Sequence, residues 1–133
     1  VARELGVGIV TYSPLGRGML TGSPAATTNL SLLDYRRILP RWRKENLAAN
    51  LRTLDIIGQV AARHDATLGQ VALAWVLARG DDVVPIPGTK RRRHLKENLA
   101  ALELRLSAED LVELDRIRAQ GDRYGRLGVS AGE

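Results

Sequence analysis

Two short stretches of this chain carry residue types that bind phosphate. The first is Tyr12-Ser13-Pro14-Leu15-Gly16-Arg17-Gly18; the second is Gly88-Thr89-Lys90, running on into Arg91, Arg92 and Arg93. Serine and glycine let a backbone approach an anion closely, and Arg17 adds a charged donor. Tyr12 offers an aromatic face to the same place. In the second stretch, four successive cations fall where a helix should begin. Positive charge there opposes the helix macrodipole by about a few tenths of a kcal/mol per charge. A phosphate ligand would account for such a cluster. Side chains standing in solvent are the competing explanation, and on spacing alone that explanation is the stronger.

The elements that must position these loops can be read from pattern. Val1 to Leu5 looks like a helix end, with Gly6 as its C-terminal cap. Val7 to Tyr12 reads as a strand whose apolar, β-branched run suggests burial on both faces in a parallel sheet. Proline and two glycines then break the strand. Residues 19 to 42 read as mostly loop, and a connection of that length is usually functional or mobile. A helix is predicted from Glu45 to His64, with Leu47, Leu51, Leu54 and Ile57 at helical spacing. His64 and Asp65 fit its end better than a ligand site. Thr67 and Gln70 form a capping box for a second helix, on which Leu68, Val71, Ala72, Trp75 and Val76 share a face and which Gly80 stops. Trp75 is expected in the core. A short strand from Val83 to Ile86 precedes a helix from Arg91 to Leu102, with Leu95, Leu99 and Leu102 in line. Ser107 and Asp110 cap a last helix carrying Leu111, Leu114 and Ile117. Glu103, Glu109, Glu113 and Asp115 read as solvated helix faces, and the tail 121–133 as loose.

Strand, helix, strand, helix in that order implies an α/β fold with parallel strands and right-handed crossovers. In such folds ligands gather beyond the carboxyl ends of the strands, where both phosphate-type loops lie. Two strands leave open edges. The chain also opens at Val1 and holds its single methionine at position 19. These features suggest a piece of something longer.

Composition narrows the partners. An apolar content of 44% suits a globular protein, and the absence of cysteine excludes disulfides and thiolate metal sites. With only two histidines, a metal site is not expected. A net charge of +5 favours anionic partners without choosing among them. Aromatic residues amount to 4% and no recognised nucleic-acid motif occurs, so the basic run is not expected to bind nucleic acid. No apolar run approaches the roughly 18 residues of a membrane span and no signal peptide opens the chain, so a cytoplasmic, membrane-free location is expected.

Several motifs together resemble one family. The strand-ending Tyr12-Ser13-Pro14-Leu15-Gly16-Arg17-Gly18 looks like the loop after the seventh barrel strand of aldo-keto reductases. Val83-Val84-Pro85-Ile86-Pro87-Gly88-Thr89-Lys90, with His94-Leu95-Lys96-Glu97-Asn98 behind it, is similar to that family's eighth strand and following helix. Thr67 to Val76 resembles the helix between them. Asp34-Tyr35-Arg36-Arg37-Ile38-Leu39-Pro40-Arg41-Trp42 resembles a loop of the bacterial and plant branch that reduces varied aldehydes and ketones. The likeness covers nearly the whole chain, in order.

That resemblance implies the C-terminal part of a (β/α)8 TIM-type barrel, a partial domain over residues 1–133, in an enzyme that reduces small carbonyl substrates with NADPH. Carried over by position, Tyr12 would stack on the nicotinamide, and Ser13, Leu15, Gly16 and Arg17 would line the pyrophosphate. Gly88, Thr89 and Lys90 would surround the adenosine 2′-phosphate, with Lys90 as the ion pair that favours NADPH over NADH and Arg91 assisting. His94 stands where relatives often place Arg or Gln, while Glu97 and Asn98 would meet the adenine edge. Arg36 or Arg37 would reach the phosphates from the long loop, and Trp42 would either touch substrate or pack over the barrel rim. The family's catalytic Asp, Tyr, Lys and His belong to earlier strands and match nothing here. The chain alone is therefore expected to be inactive and to need the N-terminal remainder of the barrel. A non-catalytic, cofactor-binding regulatory module and a basic nucleic-acid-binding domain are the alternatives.

Overall fold

The computed structural model describes residues 1–125. Its regular elements are β1 (Ile9–Thr11), α1 (Lys44–Arg63), α2 (Leu68–Leu77), β2 (Val83–Pro85), α3 (Arg92–Ala100) and α4 (Ala108–Leu114). The two strands pair in parallel, with Ile9 opposite Val83, Val10 opposite Val84 and Thr11 opposite Pro85. The α/β reading with parallel strands alternating with helices therefore holds. No helix among the described residues is long and apolar enough to cross a membrane.

Helix starts follow local chemistry. At α2, the Thr67 hydroxyl accepts from the Gln70 amide (3.2 Å) while the Gln70 side chain accepts from the Thr67 amide (2.8 Å). Ser107 and Asp110 repeat the arrangement at α4. Thr67→Ala removes one partner of an otherwise orphaned amide and is expected to cost about 1 kcal/mol in a urea titration; no loss at all would mean that the box is idle. Helix α1 ends because Asp65 adopts a left-handed backbone (φ +49°), a conformation that Asp tolerates. Gly6, also left-handed, caps a 3-10 turn over Arg3–Leu5 as the sequence suggests.

The core lies among α1, α2 and α4, where Ile57, Val60 and Ala61 pack against Val71 and Leu114. Val60 and Val71 are fully enclosed, each burial contributing about 1.5–2 kcal/mol. Trp75 packs against this core as expected, but from its rim and only partly buried. Its indole Nε1 donates to Asp115 (2.7 Å) and the Arg79 guanidinium stacks on its ring (4.2 Å). A polar indole edge at the rim of a core takes a partner rather than full burial. Asp115 also pairs with Arg79 (2.9 Å), and Glu113 with Arg63 (2.6 Å), so neither is a merely solvated position.

Other expectations change more. Both strands are three residues long, shorter than the predicted Val7–Tyr12 and Val83–Ile86. β1 is not buried on both faces; Val10 is 63% exposed, because each strand has one neighbour and the sheet has two strands. Helix α3 is shorter than Arg91–Leu102, and its aligned Leu95, Leu99 and Leu102 are exposed. The stretch 19–42 is not featureless loop. Short 3-10 turns over Gly16–Thr21, Pro24–Ala26, Tyr35–Ile38 and Pro40–Trp42 fold it around a small core of Met19, Leu39 and Trp42. Trp42 packs there, with its Nε1 donating to the Ala26 carbonyl (2.9 Å).

Of the tail 121–133, residues 126–133 lie outside the described residues. The segment just before them is tied down. Asn50, 2% exposed in the middle of α1, donates to the Gln120 carbonyl (3.0 Å) and accepts from the Gln120 amide (2.7 Å). Arg41 donates to the Gly121 carbonyl (3.2 Å).

Candidate functional site

The parallel register sets the position of the site. With Thr11 opposite Pro85, the chain leaves both strands at the same end of the sheet, so the loops from Tyr12 and from Ile86 open side by side. No hydrogen bond joins the two loops among the described residues.

The first loop is wound tightly. Ser13, Gly16, Arg17 and Gly18 all have positive φ (53°, 57°, 56° and 92°). For Ser13 and Arg17, which carry a Cβ, this is the kind of backbone strain that gathers at ligand sites. The turn is held from inside: the Gly16 amide donates to the Ser13 carbonyl (2.9 Å), the Gly18 amide to the Leu15 carbonyl (3.0 Å) and the Arg17 amide to the Ser13 hydroxyl (3.2 Å). Leu15 turns its side chain toward Gly69 of α2. What the loop presents outward is therefore the ring of Tyr12, 59% exposed, and the guanidinium of Arg17 rather than a row of free amides.

The second loop is open. Thr89 accepts from the Arg91 amide (3.1 Å), closing a small turn before α3. Arg91 is the N-cap residue of α3 and no side chain caps the helix. Lys90, Arg91, Arg92 and Arg93 are all exposed. A Cβ on Gly88 would meet nothing within 4 Å, so room rather than crowding surrounds this position. One turn on, Glu97 is engaged by His94 (3.0 Å) and more loosely by Arg93 (3.6 Å), and Asn98 lies half-buried beside it.

Tyr12, Ser13, Leu15, Gly16 and Arg17 thus share one loop, Gly88, Thr89, Lys90 and Arg91 the other, and His94, Glu97 and Asn98 the first turns of α3. Arg36 is occupied elsewhere: it donates to both oxygens of Asp34 and to the carbonyls of Arg17 (3.0 Å) and Ala25 (3.3 Å). Arg37 lies exposed, reaching only the Leu30 carbonyl (3.4 Å). Two arginines that sequence reasoning did not single out lie at the first loop. Arg123 donates to the Tyr12 carbonyl (2.8 Å) with its guanidinium 5.2 Å from the Tyr12 ring centre, and Arg41 lies beside it. No local pattern could have found them, since Arg123 is 111 residues from Tyr12. Two open surface depressions lie elsewhere, one on α4 around Val112 and one between α1 and Gly22.

Relatives place this geometry in a family. The model of the aldo/keto reductase family matches residues 1–119. Among curated proteins, the aldo-keto reductase str7 of Strobilurus tenacellus is 40% identical over 96% of this chain and 39% of its own. The aldo-keto reductase yakc [NADP(+)] of Schizosaccharomyces pombe is 44% identical over 92% of this chain and 37% of its own. A probable aldo-keto reductase 1 of Glycine max is 44% identical over 94% and 36%. Of solved structures, the thermostable aldo-keto reductase Tm1743 in complex with the inhibitor epalrestat superposes with a TM-score of 0.58 at 34% identity, over 86% of this chain and 31% of that one. The chain spans less than two-fifths of the length of the curated relatives it matches. With its motifs, its parallel strand pair and these likenesses in agreement, the chain belongs to the aldo/keto reductase family.

Proposed function

We propose that this chain forms the cofactor-binding C-terminal part of a (β/α)8 barrel in an NADP(H)-dependent reductase of small aldehydes or ketones. The observation that carries the reading is the register of β1 and β2, which opens the two phosphate-type loops at one end of the sheet. Exposed β1 and the exposed leucines of α3 are the surfaces that further barrel elements would cover. The printed name of the Schizosaccharomyces pombe relative specifies NADP(+), which supports the same cofactor here.

The residues present fit that cofactor. The uncapped start of α3, flanked by Lys90 to Arg93 with no carboxylate between Gly88 and Arg93, suits a doubly charged 2′-phosphate. Such a ligand reverses the unfavourable meeting of cations with the helix dipole. Lys90 supplies the ion pair, with Arg91 beside it and Gly88 and Thr89 leaving space. Tyr12 offers an exposed ring for the nicotinamide. Around the pyrophosphate, Arg17 contributes charge, while Ser13, Leu15 and Gly16 shape the turn. Glu97 and Asn98 face the adenine, with His94 orienting Glu97. NADPH, when bound, supplies a hydride to a carbonyl carbon. The proton for the carbonyl oxygen must come from a general acid. Among the described residues no tyrosine is arranged for that: Tyr12 and Tyr124 have arginines on their rings, and Tyr35 lies in the 3-10 turn bonded to neither loop. The acid is assigned to the remainder of the barrel.

Fluorescence titration with NADPH and NADH tests the reading. Lys90→Ala is expected to weaken NADPH binding by roughly 10- to 100-fold, as befits a lost charge-assisted bond of roughly 1.5–3 kcal/mol, and to leave NADH unchanged. Equal weakening of both cofactors, or no preference in the parent protein, would refute the assignment.

A further inference from the structure

After α4 the chain returns across the molecule, and residues Gln120 to Tyr124 lie as a strap over the first loop. Three separate pins hold it: the paired bonds between Asn50 and Gln120, the bond from Arg41 to the Gly121 carbonyl, and the bond from Arg123 to the Tyr12 carbonyl. Strap and loop also clasp each other reciprocally. The Arg123 guanidinium lies 5.2 Å from the centre of the Tyr12 ring, and the Arg17 guanidinium 4.8 Å from that of Tyr124. Arg17 reaches the Arg123 carbonyl as well (3.5 Å). Arg123 is thus tied to Tyr12 through both backbone and ring, and its charge stays with the ring it covers.

The charges around that ring do not balance. Burial first, and then the charges of Arg123 and Arg17, push the Arg41 guanidinium below the ordinary arginine value. Asp122, next to Arg123 in the chain, opposes them and is outweighed. Asp34 does not redress the difference, because Arg36 takes both of its carboxylate oxygens. One carboxylate against three guanidinium groups leaves the surroundings of Tyr12 positive. The two redox forms of a nicotinamide differ in the property this field reads: the oxidised ring is a pyridinium cation, the reduced ring is neutral, and the rest of the dinucleotide is common to both. A guanidinium held against Tyr12 repels the first and is indifferent to the second. It also draws on the negative face of the tyrosine ring, which would otherwise favour a stacked cation.

We propose that Arg123 makes the Tyr12 site select the reduced cofactor over the oxidised one, by holding a positive charge against the ring on which the nicotinamide stacks. The inference rests on the cofactor reading above. Its sign does not depend on which face of Tyr12 the nicotinamide takes, because Arg123 is anchored to the Tyr12 carbonyl and stays near the stacked ring on either side. The consequence is directional: NADPH is retained and NADP+ released, which favours carbonyl reduction over alcohol oxidation.

Calorimetric titration of the full chain with NADPH and with NADP+ at low ionic strength tests this, read as the ratio of the NADP+ to the NADPH dissociation constant. Across a stacked ring pair, at roughly 10 Å, one charge near a protein surface changes an affinity by roughly two- to tenfold. Arg123→Gln is therefore expected to lower the ratio about threefold, by strengthening NADP+ relative to NADPH. General damage to the fold, or a lost contact to phosphates that both forms share, cancels in the ratio. Arg123→Lys keeps the charge and should stay near the parent value, whereas Asp122→Asn should raise the ratio. Arg105→Gln, at a residue that bonds only the Leu102 carbonyl of its own turn, should leave it unchanged. Added salt should bring the parent and Arg123→Gln together. A ratio that Arg123→Gln leaves unchanged, or that Arg105→Gln lowers as much, would overturn the inference. If neither form binds saturably, the cofactor reading falls and this inference with it; if both bind and the ratio ignores Arg123, this inference fails alone.

Discussion

Replacing Asp110 by alanine is expected to lower the unfolding free energy by about 3 kcal/mol, the low end of the range for breaking a buried ion pair. The residue is 3% exposed, yet its carboxylate serves three partners. His64 Nε2 lies 2.7 Å from one oxygen, Arg63 donates to the other (2.8 Å), and the Ser107 amide donates to the carboxylate within the capping box (3.0 Å). Loss of the carboxylate would strand His64 and the start of α4 while Arg63, half exposed, could turn to water or Glu113. That escape is why the low end applies. Burial by itself would raise the Asp110 carboxyl, but the bonds from His64, Ser107 and Arg63 outweigh it and hold it well below the usual carboxylate range. The sign of the pH dependence follows. A depressed carboxyl contributes stability that is complete above the unfolded value, near about pH 4, and is lost as the pH falls through the folded value. The stability gap between parent and variant should therefore be constant from pH 7 to about 5 and narrow below about 4. Urea midpoints at several pH values read this directly, and a gap that stays level down to about pH 2 would show that the carboxylate is not the source.

Gly18→Ala is expected to cost about 3 kcal/mol and to disorder the first loop. At φ +92° the backbone is one that a residue with a Cβ rarely adopts, a strain of roughly 1–3 kcal/mol. A Cβ there would also come within 2.9 Å of the Ala26 Cβ and 3.5 Å of the Arg36 guanidinium. The Ala26 side cannot yield easily, because its carbonyl receives the Trp42 indole and its neighbours form the wall of the Met19 cluster. Relief would push Arg36 off the Arg17 carbonyl and so unseat the strained turn. Loss of the buried fluorescence character of Trp42 together with a lowered melting temperature would bear this out. A variant as stable as the parent would show that the clash relaxes without consequence.

The sequence was most informative where chemistry is local. Both capping boxes, the apolar stripe of α1 and the left-handed Gly6 follow from residues a few positions apart, and each is present. Strand type was also legible, since a β-branched run cannot hide, but strand extent depends on how many neighbours a strand has and was overestimated. The region 19–42 was opaque for a different reason. Its core residues, Met19, Leu39 and Trp42, obey no period and meet only after several 3-10 turns. The core contact of Trp75 was legible but its position at the rim was not, because an indole nitrogen seeks a partner and Asp115 is distant in the chain. At the candidate site the two loops could be found from glycine, hydroxyl and charge, and the strand register brings them to one end. The strap could not, for its pins join Gln120 to Asn50 and Arg123 to Tyr12 across most of the chain.

Those long spans bear on the order of assembly. The Asn50–Gln120 bonds close a loop of 70 residues, and a contact so distant cannot reward the chain until the segments between are already compact. α1 and α2 are near neighbours and can collapse early, whereas the strap must wait for α4 to dock. Held by a few polar bonds over an exposed surface, it also belongs to the class of elements that open locally at little expense. The cover above Tyr12 is thus assembled late and released early, while the helices behind it remain folded.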